Sequence, residues 1–365
     1  MAAKRAVALL DKAITRCGHG VRVLLSESCM ARQKDTRSLV ISFKPQSTTW
    51  ELPGWFLEEL GREFPQVCGS YLPNYEGLDK AIENAEVFVG LSLRSSQASR
   101  ARKLRWAHSL YAAVNHLLVP EIVEGPVVVT SASAVHRIPV AEHALALMVA
   151  LARRLPDSFR MQQQRRWGQS DIWSSEPFRK EVNGAMLGIL GMGGIGLELA
   201  KRAKALGLHV IGLSRSAATP AEGVDEMLGS DGLAALLSRC DYVVLALPDT
   251  SQTYHIIGAP EFRLMKRDAY LINVGRGTAI DETALVQALR EGVIAGAALD
   301  VAEREPPPPE SPLWDAPHLL LTPHIGSATS SDYLWWRQYQ VLAGNLRRYL
   351  KGEPLLYVVD KSRGY

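Results

Sequence analysis

Three ionisable residues stand where later strand-like runs of the chain end: Arg276 in INVGRGTAID, Glu305 in LDVAEREPPPP and His324 in LLLTPHIGSAT. In an open parallel sheet the carboxyl ends of strands face the ligand crevice, so loops that begin there can present reactive groups to a bound molecule. These residue types suit reduction of a carbonyl, in which hydride adds to carbon and the oxygen takes up a proton. A histidine titrates near neutral pH and can give that proton or take it back. A carboxylate on its other ring nitrogen would fix the tautomer and favour the protonated ring. An arginine can hold a substrate carboxylate and polarise the carbonyl oxygen with a fork that lysine lacks. Taken residue by residue, Glu303 competes with Glu305 and His318 with His324, while His136 and His143 lie in or near a helix pattern and read as structural or surface residues.

Hydride needs a carrier, and the chain has a turn suited to one. The apolar run MLGIL (186–190) leads into Gly191-Met192-Gly193-Gly194-Ile195-Gly196, and LELAKRAKALG follows as a helix pattern. The first glycine permits a tight turn, the second lets backbone approach a pyrophosphate, and the third allows helix and strand to pack closely. Exposed amides and the positive end of the helix dipole would then hold the phosphates. The next strand, HVIGL (209–213), ends on Ser214-Arg215-Ser216, with no acid where one would bind the ribose 2′-hydroxyl of NAD. Arg215 can pair with a 2′-phosphate, and both serines can donate to it, so NADP is the expected cofactor, with NAD possible.

Those loops require strands and helices in alternation, and the chain supplies them. SLVISF (38–43), VFVG (87–90), LRWAH (104–108), PVVVT (126–130), YVVLAL (242–247), AYLINV (269–274) and AGAALDV (295–301) read as strands, as does VRVLLS (21–26), and WFLEELGREF (55–64) reads as a crossover helix. A helix over about 140–155 is expected to bridge two domains, and the basic, tryptophan-bearing segment after it interrupts the rhythm as an arm would. The last helix pattern, 327–350, is expected to return to the first domain. The 365 residues, 47% hydrophobic and 22% charged, are enough for two folded domains and exclude disorder as the main state. With 41 basic against 38 acidic residues and no basic run, nucleic acid is not an expected partner. No uncharged apolar stretch is long enough for a membrane span, the longest candidate being the glycine-interrupted 182–197. The four cysteines show no metal-ligand spacing and read as reduced thiols; no metal is expected. The N-terminus lacks the pattern of a secretory signal, so the expected address is cytoplasmic.

With these residues in place, the second half resembles the D-isomer-specific 2-hydroxyacid dehydrogenase family, in its glyoxylate/hydroxypyruvate reductase-like branch. The resemblance covers LGILGMGGIG, LPDTSQTYHII, LINVGRGTAIDETALVQALREGVIAGAALDVAEREP and SPLWDAPHLLLTPHIGSAT, and more faintly LRWAHSLYAAVNHL and VAEHALALMVALARRLPD in the first half. Intervals of 29 residues from Arg276 to Glu305 and 19 from Glu305 to His324 match the family's arginine, glutamate and histidine, which selects Glu305 over Glu303 and His324 over His318. The resemblance implies an α/β chain with a Rossmann dinucleotide-binding domain (133–328) and a smaller flavodoxin-like substrate domain (1–132 and 329–365). It implies NAD(P)-dependent interconversion of a small 2-oxo acid and a D-2-hydroxy acid. By the same likeness, backbone amides near Leu93, Ala113 and Val114 bind the substrate carboxylate. Leu247 and Pro248 border the adenosine, Asp300 meets the nicotinamide carboxamide, and Val274 and Gly326 complete the cofactor site. The arm at 152–175 resembles the family's dimerisation element, so a homodimer is expected. Departures are Ala113 where the family's loop carries glycine, and Gly194 where the turn often carries arginine. Arg94 has no assured family role and is read as facing solvent. A second reading, a nicotinamide-sensing interaction protein of corepressor type without turnover, shares every one of these residues; oxidation of formate or phosphite is a third.

Overall fold

The computed structural model describes residues 36–45, 50–112, 114–174, 181–215 and 221–364. They fall into two compact units: one of the residues up to Val135 together with those from Thr329 onward, the other His136–Ala328. VRVLLS (21–26), Cys17, Cys29, Ala113 and Ser216 lie outside the described residues.

In the first unit five parallel strands, β1 (Arg37–Phe43), β2 (Val67–Pro73), β3 (Val87–Gly90), β4 (Trp106–Ser109) and β5 (Val128–Ser131), stand in the order β2-β1-β3-β4-β5. This is the flavodoxin-like doubly wound order. Both faces are covered, so the strands read as continuous apolar runs rather than alternating ones. The helices Gly54–Glu63 and Ser331–Lys351 cover one face, where Phe56, Trp335 and Tyr339 join Phe43, Trp106 and Leu39 in one core. Trp335 is thereby a core residue, stacked on Phe43 with ring centroids 5.7 Å apart. Strand β2 escapes sequence reading because VCGSYLP, at the sheet edge and mostly half-buried, carries a glycine and a proline in place of a β-branched run.

Seven parallel strands form the second unit: β6 (Met186–Leu190), β7 (His209–Leu213), β8 (Glu226–Leu228), β9 (Tyr242–Leu245), β10 (Tyr270–Asn273), β11 (Gly296–Leu299) and β12 (Leu319–Leu321). Their order is β12-β11-β10-β9-β6-β7-β8, which is the 3-2-1-4-5-6 winding of dinucleotide-binding sheets with one further edge strand. Winding reverses between β6 and β9, so the loops at their carboxyl ends open the crevice where such sheets take ligands. Apolar clusters lie on both faces, one built around Leu236, Leu285 and Phe262, the other around Met148, Leu199 and Tyr242.

Several expectations are corrected. The long helix runs Ser133–Ala152, beginning earlier than its apolar pattern suggests because Pro139 sits inside it, and the boundary between the units falls within it. Among the described residues this helix, at a mean hydropathy of 1.3, is the one long and apolar enough to cross a membrane by length and composition, but it carries Arg137 and Glu142 and so is not an uncharged stretch; half of that window is buried, with Ala141, Ala144 and Met148 in the core. Cys68 is disulfide-bonded, contrary to the expectation of reduced thiols, while Cys240 is free and buried. Bridging depends on proximity in space, which sequence spacing does not report. The arm consists of two helices, Leu155–Gln163 and Gln169–Ser174, and Trp167 is 92% exposed. Arg94 is exposed, as expected, and its guanidinium pairs on the surface with Asp79 at 2.7 Å.

Candidate active site

The glycine turn has the stereochemistry a dinucleotide requires. Gly191 has φ +101°, and a side chain there would meet the Ala246 carbonyl oxygen at 2.5 Å. A Cβ on Gly193 would meet nothing within 4 Å, which leaves the turn open on the side a ligand approaches. A Cβ on Gly196 would lie 2.2 Å from the Gly191 carbonyl oxygen, so only glycine lets the helix Gly194–Ala205 sit this close to β6. No side chain caps that helix, and its first amides, those of Gly194, Ile195 and Gly196, have no partners in the preceding turn. These residues fit the pyrophosphate of a nicotinamide dinucleotide. Ser214 and Arg215 follow directly on β7, the strand beside β6, and Arg215 is exposed. Leu247 lies against the turn, 3.3 Å from a Cβ on Gly191, and Thr253 Oγ1 donates to the Pro248 carbonyl at 2.7 Å. Val274 is buried, its amide donating to the Leu245 carbonyl at 3.1 Å.

The three candidate chemical residues arise from adjacent strands. Arg276 follows β10, Glu305 lies in the loop after β11, and His324 follows β12. Buried Asn273 shapes the first loop: its Nδ2 donates to the Arg276 carbonyl at 2.9 Å and its Oδ1 accepts from the Gly275 amide at 3.0 Å. Arg276 is half-buried and donates through Nη1 to the Gly275 carbonyl. Glu305 spans its own loop, with Oε1 accepting from the Ala302 amide at 3.1 Å and Oε2 lying 2.6 Å from His324 Nδ1. At that length the bond is charge-assisted, with Nδ1 as donor, and it leaves Nε2 as the nitrogen able to exchange a proton with a substrate. The His324 side chain is 50% exposed and so accessible.

The competing residues are elsewhere engaged. Glu303 pairs with His255 at 2.9 Å, and its amide donates to Glu282 at 2.6 Å. His318 precedes β12, at the opposite end of the strand from His324. Burial, reinforced by Arg154, holds its titration below the usual histidine range.

His324 has φ +54°, a left-handed conformation costly for any residue with a Cβ. Asp300 holds it there. The Asp300 carbonyl accepts the His324 amide at 2.8 Å, Oδ1 accepts the Ile325 amide at 2.9 Å, and Oδ2 accepts the Gly326 amide at 2.8 Å. Thr322 Oγ1 donates to Oδ1 at 2.6 Å, and His143 Nε2 lies 3.2 Å from Oδ1 and 3.0 Å from Thr322 Oγ1. Burial by itself would raise the Asp300 carboxyl, but hydrogen bonds from His143, Thr322, Gly326 and Ile325 outweigh it and hold it below the usual carboxylate range. His143 and Thr322 therefore belong to the support of the site, which the helix pattern around His143 concealed. The signal available was a histidine inside the apolar run HALALM, because a polar group there needs a buried partner.

The other predicted residues lie in the first unit. Leu93, in the loop after β3, is buried, and its amide donates to the carbonyl of His116, in the loop after β4, at 3.1 Å; Val114 is buried as well.

A sheet of this winding, a glycine turn at its reversal and a carboxylate-held histidine at its carboxyl edge define a nicotinamide-dependent oxidoreductase. The chain belongs to the D-isomer-specific 2-hydroxyacid dehydrogenase family: residues 145–326 match the model of that family's NAD binding domain. It is 36% identical over 263 residues to the glyoxylate/hydroxypyruvate reductase B of Yersinia enterocolitica, covering 70% of this chain and 78% of the relative. It is also 34% identical over 310 residues to the D-3-phosphoglycerate dehydrogenase of Methanocaldococcus jannaschii, covering 83% of this chain but only 56% of that longer relative. Among solved structures, the NADPH-dependent glyoxylate/hydroxypyruvate reductase from Sinorhizobium meliloti, in complex with NADP and sulfate, superposes with a TM-score of 0.73 at 28% identity, covering 90% of this chain and all of the other. The protein is thus an NAD(P)-dependent dehydrogenase of D-2-hydroxy acids.

Proposed function

We propose that the chain reduces a small 2-oxo acid, glyoxylate or hydroxypyruvate, with NADPH to give the D-hydroxy acid or its achiral equivalent. The observation that carries the reading is the 2.6 Å contact between Glu305 and His324 Nδ1, which supports Nε2 as the nitrogen that exchanges the proton. The nicotinamide, when bound, supplies the hydride. His324 gives the proton to the carbonyl oxygen from Nε2, and Glu305 keeps the ring in the tautomer and orientation that permit this. Arg276 binds the substrate carboxylate and offsets the negative charge that develops on the carbonyl oxygen. Arg215, directly after β7, supports NADPH over NADH by pairing with a 2′-phosphate. The reductase titles of the Yersinia and Sinorhizobium relatives support the substrate class. In this reading two copies associate through the arm, whose Phe159, Trp167 and Trp173 are exposed.

The test is NADPH and NADH oxidation followed at 340 nm against a panel of 2-oxo acids. Turnover that falls by about 10³-fold or more in His324→Ala is expected. No turnover by the parent, or an unchanged rate in that variant, overturns the assignment; dinucleotide binding without turnover supports the sensing role instead. Sedimentation of the full chain as a monomer overturns the dimer.

A further inference from the structure

The open glycine turn has one side chain beside it. Within the larger unit the helices Ser133–Ala152 and Gly194–Ala205 are linked by two long ion pairs, Arg137 to Glu198 and Glu142 to Arg202, each at 3.8 Å. A Cβ built on Gly194 would meet only Arg137, whose Cβ and Cδ both lie 3.6 Å away. Among the described residues Arg137 is therefore the side chain that passes the first turn of this helix.

Its present partner holds it weakly. Glu198 already takes a hydrogen bond from Arg202 Nη1 at 2.6 Å, and Arg202 is the main cause of its lowered titration. Arg137 Nε stands beyond hydrogen-bond reach of Glu198 and is buried without a hydrogen-bond partner. The side chain as a whole is half-exposed, and its Cβ and Cδ pass beside the helix end that attracts anions.

We propose that Arg137 is a phosphate-binding residue: its guanidinium pairs with the pyrophosphate of the dinucleotide at the glycine turn, and Gly194, having no side chain, leaves room for it. The proposal rests on the turn being the dinucleotide site. A guanidinium matches phosphate oxygens in two-pronged fashion, and a pair formed there through Nε recovers the one hydrogen bond that this atom lacks. Glu198, a turn further along the helix, repels an incoming pyrophosphate, and Arg137 and Arg202 offset that charge.

The pyrophosphate is common to NADH and NADPH, whereas the 2′-phosphate belongs to NADPH alone. Titration of the full-length protein with each dinucleotide, followed by nicotinamide fluorescence, should therefore show Arg137→Ala weakening both by a similar factor of about ten. Arg137→Lys should restore part of the loss, and Glu198→Gln should bind as tightly as the parent or tighter. If Arg137→Ala binds NADH within twofold of the parent, the proposal is wrong. A loss confined to NADPH moves the guanidinium to the 2′-phosphate and also overturns it. A Glu198→Gln variant as weak as Arg137→Ala, with both melting lower and no rescue by lysine, makes the pair a structural tie and overturns it too. A parent that binds neither dinucleotide removes the site itself, and with it both this proposal and the cofactor reading.

Discussion

Replacing Asp300 by asparagine tests whether this carboxylate holds His324 or serves the cofactor directly. Its two oxygens accept from four protein donors, namely Thr322, Ile325, His143 and Gly326, in a side chain only 3% exposed. An amide has one acceptor. Placed toward Thr322 and Ile325, it turns its NH2 against the Gly326 amide, and that buried donor loses its partner at a cost of about 1–3 kcal/mol. His324 is meanwhile held in a left-handed conformation worth roughly 1–2 kcal/mol of strain, which those bonds keep in place. The balance shifts toward relaxed arrangements of the 322–326 loop, and at 1.36 kcal/mol per decade kcat should fall about 10- to 100-fold. In a unit of this size the melting temperature should drop by about 2–10 °C. Steady-state kinetics, a dinucleotide binding titration and a thermal melt separate the cases. A fall in kcat with an unchanged dinucleotide Kd is expected of a group that positions His324. If the Asp300→Asn variant raised the Kd while kcat stayed intact, Asp300 would be a cofactor contact, and the positioning argument would be refuted.

Three other outcomes follow from the same geometry. Glu305→Gln removes the charge from the 2.6 Å bond to His324 and should lower kcat by about 10- to 100-fold, with the NADPH Kd unchanged, measured by the same pair of assays. Arg215→Ala should raise the KM for NADPH by at least about tenfold and that for NADH by less than about twofold; equal effects would contradict 2′-phosphate binding. His108 is fully buried with Nδ1 2.7 Å from Thr130 Oγ1, and burial pushes its titration down to about 4. Between pH 6.5 and 4 the unfolded chain takes up this proton and the folded chain does not, so stability is full above that window and falls as pH drops through it. The loss is at most about 3 kcal/mol. Urea unfolding of the first unit across that range should show it, and His108→Gln should flatten that part of the curve.

How much of this was readable in advance depended on the distance over which each feature is decided. Local patterns carried the strands β3, β6 and β7 and the helix over Gly54–Glu63, because apolar periodicity and turn residues act within a few positions. They failed for the short edge strand β8 and for β2, whose pairing comes from neighbouring strands rather than from their own residues. Pro139 hid the first turns of the long helix in the same way, since packing sustains a helix that propensity alone would end.

The sequence by itself determined the chemistry available: a turn that needs glycine at Gly191 and Gly196, and an arginine, a glutamate and a histidine whose intervals resemble those of a known family. Tertiary structure decided which carboxylate meets the imidazole, giving Glu305 to His324 and Glu303 to His255 although the two acids are two residues apart. It also recruited His143 and Thr322 around Asp300 and set Arg137 beside Gly194. Hydrogen-bond partners roughly 20 to 180 residues apart are chosen by the parallel register of β10, β11 and β12 and by helix packing, so no local pattern records them.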